Sequence, residues 1–165
     1  MKKLSFQSYL SALFNSEEPA LVLILSQLST QIRYGKNDVI YPRGRIPSEL
    51  SYLETGSAIA LSQSKPKRRV LRFWTAKQMI CPVGFFDNSP ATQSIVALDD
   101  CLVSRLTYHQ LFRFLSDFPE AYKLINAMLK YEINLVEQNI KSMSHLSSFQ
   151  NHEALLNALA LSFDE

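Results

Sequence analysis

Four glycines, at positions 35, 44, 56 and 84, are the only ones in this chain. Each closes a short run of strand-forming residues. Glycine reaches backbone angles that other residues adopt only at a cost, so it marks tight turns. Its placement divides the sequence into a turn-rich β region over roughly 30–106 and a turn-poor region that reads as helix. The β runs are Gln31 to Tyr34, Val39 to Tyr41, Glu49 to Leu53 and Ala58 to Leu61, then Val70 to Trp74, Met79 to Val83, Ser94 to Leu98 and Cys101 to Leu106. Short strands spaced this regularly predict an antiparallel barrel or sandwich.

Helical signals flank this region. Leu21, Ile24, Leu25 and Leu28 recur at helical spacing, with Ser16, Glu17, Glu18 and Pro19 as a start signal. Thr107-Tyr108-His109-Gln110 fits a capping box. Asp117 and Pro119 open a longer helix that runs to about Leu146; at the α-helical rise its ~28 residues span ~40 Å, more than a small barrel is wide. Along it Leu129, Ile133, Val136, Ile140 and Met143 alternate steps of four and three, a heptad seam. Two readings of the seam are open, a two-fold helix pair and packing on the chain's own barrel. A last short helix is expected over 151–163. The domain reading is a β-barrel unit with its long helix over 1–146, then the start of a further element over 147–165.

The bulk properties exclude several function classes. A formal net charge of +2 makes no global demand for nucleic acid or an acidic membrane. The longest apolar run, Ala20 to Leu25, is far short of the ~18 residues of a membrane span. Cys81 and Cys101 form no CxxC and read as reduced thiols of a cytoplasmic protein. The histidines, His109, His145 and His152, all fall in the helical parts, so a barrel metal site, haem or an iron–sulfur cluster is not expected. No nucleophile-base arrangement or phosphate loop is readable, and the chain is read as non-enzymatic. Between Thr55 and Phe86 there is no acidic residue, but Lys65, Lys67, Arg68, Arg69, Arg72 and Lys77 are basic. Those at 65–69 read as a solvated hairpin tip or, alternatively, a docking patch for an acidic partner.

The ordered set of features resembles the sensor half of the CRP/FNR family of bacterial regulators. The matching residues are Tyr34-Gly35-Lys36 before Val39-Ile40-Tyr41, Gly44 and Gly56 around Leu50, Tyr52 and Leu53, and Gly84-Phe85-Phe86 running on to Ser94-Ile95-Val96-Ala97-Leu98. Leu106-Thr107 and Leu111 follow as the exit into the next helix. The resemblance implies an α+β fold: a double-stranded antiparallel β-helix, or jelly-roll barrel, between N-terminal helices and a long C-terminal dimerisation helix. It implies a small-molecule effector, a homodimer through the 129–143 seam, and a phosphate-binding cassette at Gly84, Phe85, Phe86, Thr92, Gln93 and Ser94.

The cassette departs from the family pattern. The family carries Gly-Glu before the turn, whose carboxylate takes the ribose hydroxyl, and Arg-Ser-Ala after it, whose guanidinium pairs with the cyclic phosphate. Here those positions read Cys81-Pro82 and Thr92-Gln93-Ser94. The cofactor remains unassigned: cyclic nucleotide is possible in outline, but without its Arg and Glu, cyclic AMP in the usual pose is not expected. Arg72 shares a strand face with Val70 and Trp74 and would supply the missing cation if that face looks inward; a solvent-facing Arg72 is the alternative. Thr92, Gln93 and Ser94 either bind a polar ligand or cap the local turn. In the family a helix-turn-helix domain follows. No recognition helix is readable by Glu165, so this chain alone is not expected to read DNA. A second function class is also open, an interaction protein that dimerises through the seam around a vestigial pocket.

Overall fold

The computed structural model describes residues 5–14, 17–62 and 69–145. The chain forms two compact units, Met1–Ala127 and Met128–Glu165. The helix expected over 151–163 and the basic residues Lys65, Lys67 and Arg68 lie outside the described residues.

The first unit opens with two helices, α1 (Ser5–Leu13) and α2 (Pro19–Leu28). Pro19 sits at the first turn of α2, where a missing N–H removes no helical hydrogen bond. Eight strands follow: β1 (Thr30–Tyr34), β2 (Val39–Tyr41), β3 (Glu49–Thr55), β4 (Ser57–Ser62), β5 (Arg69–Thr75), β6 (Gln78–Ile80), β7 (Ser94–Ala97) and β8 (Cys101–Thr107). They divide into two antiparallel four-stranded sheets, ordered β1-β8-β3-β6 and β2-β7-β4-β5. The expected closed barrel is therefore an open two-sheet sandwich. Closure would need ladders joining the sheet edges, and among the described residues none runs from β1 or β6 to β2 or β5. The run expected to continue to Val83 stops at Ile80 as β6, because Pro82 has no N–H to give a ladder.

The core lies between the sheets. Leu53, Ile80, Cys101 and Val103 from one sheet meet Ile40, Ala58, Ala60, Trp74, Ile95 and Ala97 from the other. The alanines on β4 keep the layer thin where the Trp74 indole enters. The opposite face of β3 is also covered. Tyr52 packs its ring against Phe6 and Tyr9 of α1, at 5.3 and 5.0 Å between centroids. Cover on both faces is why β3 is buried at every position from Leu50 to Glu54, its polar residues Ser51 and Glu54 included. Glu54 is buried there, accepting hydrogen bonds from the Phe6 N–H (3.3 Å) and the Ser104 hydroxyl (2.6 Å). Its carboxylate thus sits at the N-terminus of α1, where the helix dipole favours negative charge.

Helix α3 (Tyr108–Asp117) carries the expected capping box. Thr107 Oγ1 accepts from the Gln110 N–H, and Gln110 Oε1 accepts from the Thr107 N–H. A 3₁₀ turn at Pro119–Ala121 leads into α4 (Tyr122–His145).

Candidate functional site

Alternation along β5 decides where its polar residue goes. Leu71 and Phe73 are 53% and 42% exposed, whereas Trp74 is 3% exposed and belongs to the core between the sheets. Arg72 shares the Trp74 face. Its guanidinium carbon lies 4.7 Å from the Trp74 ring centroid, a cation–π geometry.

The segment between β6 and β7 folds over this face. The Phe85 N–H donates to the Pro82 carbonyl, and the Ser89 N–H donates to the Gly84 carbonyl, each at 3.2 Å. Gly84 has φ +99°, and a Cβ there would collide with the Ser89 carbonyl oxygen, so only glycine closes this turn without displacement. Asn88 (φ 57°) supplies a second left-handed residue, of a type that tolerates it. Beyond the turn, Ala91 exchanges backbone hydrogen bonds with the 44–45 turn: Gly44 N–H to Ala91 O at 2.8 Å and Ala91 N–H to Arg45 O at 2.9 Å. The segment is thereby clamped at both ends.

Beneath it lies a cavity of about 50 Å³. Arg72 and Trp74 line it from β5, Cys81, Pro82 and Val83 from the segment's entry, Ala91 and Gln93 from its exit, and Ile95 from β7. A buried water needs about 10–15 Å³ on this measure, so the space holds about three to five waters. It is far short of a nucleotide. Among the described residues, the Trp74 indole N–H and the Gln93 amide oxygen in its lining are buried without a hydrogen-bond partner. A buried polar group left unsatisfied costs on the order of 1–3 kcal/mol, so this pair is a standing demand for a ligand or water.

The residues singled out from sequence separate accordingly. Arg72 and Gln93 meet at the cavity. Gly84 shapes the turn. Phe85 is 1% exposed and turns its ring to Phe86 (5.0 Å) and Tyr108 (5.6 Å), and Tyr108 in turn stacks on Phe112 at 4.1 Å. This aromatic row ties the segment to α3. Phe86 and Thr92 are exposed. Ser94 Oγ accepts from the Arg43 N–H at 3.2 Å, which holds the neighbouring turn. Trp74, Cys81 and Ile95 were not among the sequence candidates. The Val70-Arg72-Trp74 alternation was the signal for Trp74, but nothing local marks its N–H as unpaired.

Other chemistry-bearing groups lie elsewhere. Cys101 Sγ donates to the Ser57 and Asp99 carbonyls at 3.3 Å, and burial pushes its thiol pKa up. Burial likewise pushes the Tyr41 phenol well above its ordinary range, although its hydroxyl is hydrogen-bonded with Ser51 at 2.6 Å. A second hollow of about 220 Å³ runs along Tyr41, Arg45, Ile46, Glu49 and Arg105, where Glu49 ion-pairs Arg105. None of the sequence candidates lies in it. In α4, Leu124, Ile125, Met128 and Glu132 are buried, while Leu129, Ile133 and Val136 are 36%, 59% and 37% exposed. Ile140 and Met143 continue that helix, with side chains outside the described residues.

Comparison with known proteins bears on this architecture. Residues 31–118 match the family described as cyclic nucleotide-binding domain. Among solved structures, the chain is similar to a cyclic nucleotide-binding domain from Methylobacillus flagellatus KT, with TM-score 0.72 and 15% identity, over 86% of this chain and 80% of that one. It is similar to the sensor domain of the transcriptional regulator DNR from Pseudomonas aeruginosa, with TM-score 0.62 and 19% identity, over 86% and 95%. It also resembles the Thermus thermophilus catabolite activator protein, with TM-score 0.63 and 16% identity over 80% of this chain, and spans 62% of that protein. At these identities the likeness is one of fold. A search of curated proteins finds no match.

Proposed function

The chain belongs to the cyclic nucleotide-binding domain family, and from that premise we propose that it is a non-catalytic, cytoplasmic ligand-sensing module of the CRP/FNR regulator type whose effector is not cyclic AMP in the usual pose. The observation that carries this reading is the cavity beneath 81–93. It keeps a cation, Arg72, and two buried polar atoms without partners, on Trp74 and Gln93. Meanwhile Pro82 and Thr92 stand where the family's ribose-binding carboxylate and phosphate-pairing guanidinium belong. A vestigial pocket would be expected to fill with apolar side chains, because unsatisfied polar groups are a cost without return. Gly84, Thr92, Gln93 and Ser94 then form and flank the mouth of the site, with Phe85 and Phe86 carrying its state to α3.

The proposal includes a homodimer through Leu129, Ile133, Val136, Ile140 and Met143. Support comes from the burial of Leu124, Ile125, Met128 and Glu132, which leaves Leu129, Ile133 and Val136 solvent-accessible in one chain. Exposed apolar residues at heptad spacing are what a partner helix covers. Neither Cys81 nor Cys101 forms a disulfide, in keeping with a reducing compartment. Among the described residues no helix is long and apolar enough to cross a membrane.

A thermal-shift screen of nucleotides and small anions tests the sensing role. A binder raises the melting temperature of the native chain, and the rise should vanish in Arg72→Ala. If no compound of either class stabilises the native chain, the interaction reading replaces this one.

A further inference from the structure

We propose that the hollow beside the loop over 42–48 is a second ligand site, apart from the cassette cavity, and that it takes a small organic monoanion with an apolar body. The loop joins β2 to β3. The hollow measures about 220 Å³, against about 50 Å³ beneath the cassette. The site does not depend on the sensing role proposed for the cassette cavity.

Charge selects the head of the ligand. Three charged residues line the hollow, Arg45, Glu49 and Arg105. Glu49 and Arg105 are ion-paired and partly buried, so together they bring no net charge. Arg45 is exposed and, among the described residues, has no ion-pair partner. One positive charge is thus in excess, and it attracts an anion. The planar fork of an arginine pairs with both oxygens of a carboxylate. Glu49 keeps a carboxylate in the same lining, which disfavours a dianion.

The apolar wall selects the body. Ile40 and Tyr41 line the hollow from β2 and are buried, whereas Ile46 on the loop is exposed. Pro42 and Pro47 complete this wall. The Tyr41 hydroxyl donates to the Glu49 carbonyl at 3.1 Å and is hydrogen-bonded with Ser51 at 2.6 Å. Tyr41 therefore offers a ligand its ring and no free O–H. An apolar body laid on Ile46 takes both surfaces out of water. Judged against the space a buried water needs, the hollow suits about ten heavy atoms, well short of a nucleotide.

The hollow is also preformed. Its loop is pinned to the cassette exit by Gly44 N–H to Ala91 O at 2.8 Å, Ala91 N–H to Arg45 O at 2.9 Å and Arg43 N–H to Ser94 Oγ at 3.2 Å. At the far end the Tyr108 N–H donates to the Ser48 carbonyl at 2.7 Å. A ligand entering here has little chain to order, which preserves affinity.

The backbone amides of Arg45, Ile46 and Glu49 report occupancy in a ¹⁵N-labelled sample of the full chain. That sample is titrated at neutral pH and constant ionic strength with benzoate and hexanoate, with their uncharged amides benzamide and hexanamide, and with acetate. The expected result is a saturable shift of these amides with at least one of the two larger acids, at a Kd of about a millimolar for so few atoms. Its matching amide and acetate should each bind about tenfold more weakly, one for want of the charge and the other for want of the body. Arg45→Gln removes the charge from an exposed side chain and keeps the carbonyl that Ala91 uses; it should cause the same loss. Ile46→Ser should weaken the acid several-fold. Arg72→Met, in the other cavity, should leave binding here unchanged, so the fates of this site and of the sensing role are read separately. Equal binding of acid and amide, or undiminished binding by Arg45→Gln, would overturn the proposal. Silence toward both larger acids, or shifts that never saturate, would do the same.

Discussion

Gly44 and Gly84 have similar left-handed backbones, at φ +80° and +99°, in different surroundings. A Cβ at Gly44 meets nothing within 4 Å, so Gly44→Ala should cost only the backbone term, about 1–2 kcal/mol. Gly84→Ala adds a collision with the Ser89 carbonyl and should cost clearly more, while also displacing the roof of the cavity. Urea denaturation of the two variants gives the comparison. Cys101 makes a pH prediction. Burial raises its thiol pKa in the folded chain, so the folded state holds this proton more tightly than the unfolded state. Its contribution is complete below the unfolded thiol value of about 8.5 and is lost as pH rises past it. Stability should therefore decline from about pH 8.5 upward, and Cys101→Ala should flatten that slope. Tyr41 adds a similar decline only above about pH 10, the ordinary phenol value. At this scale the sequence revealed which residues stand in the cassette, since Pro82 and Thr92 are read directly. It did not reveal the unpaired Trp74 and Gln93 atoms, because satisfaction of a buried group depends on neighbours far along the chain.

Elements with local signatures were legible. The Thr107 capping box forms as its spacing predicts, and Thr107→Ala should destabilise by about 1 kcal/mol. Gln110 does more than the local pattern shows. Its Nε2 donates to the Leu28 carbonyl at 2.9 Å, closing the C-terminal end of α2. Gln110→Ala should therefore exceed Thr107→Ala in chemical denaturation, because it also leaves that carbonyl unmet. The strand expected over 79–83 came out shorter, since a run of apolar residues does not register that Pro82 breaks the ladder. Helix α4 appears at close to the expected length, and the seam along it belongs to the proposed dimer. Light scattering should give the mass of two chains. Val136→Glu, which places a charge in the seam, should return it to one, and a single-chain mass for the unmutated protein at ~50 µM would contradict the seam at a typical association strength.

At the scale of the whole molecule, the strand count and spacing predicted the class of fold but not the partition into two sheets. The β3–β8 and β1–β8 ladders join segments distant in sequence, such as Leu50 with Leu106 and Thr30 with Arg105, and no local pattern encodes those partners. That partition makes the site. It sends the inward face of β5 toward the cassette and lets the core residue Trp74 also line the cavity. On the proposed reading, this scaffold has kept its pocket and lost its grip on a cyclic phosphate. A charge-assisted bidentate contact and a carboxylate–hydroxyl contact, each on the order of 1.5–3 kcal/mol, are both missing, so affinity should fall by a factor on the order of 100 or more. Calorimetric titration of the full chain with cyclic AMP tests this most directly. The prediction is no saturable heat below about millimolar ligand; saturable one-site binding at micromolar cyclic AMP would contradict it.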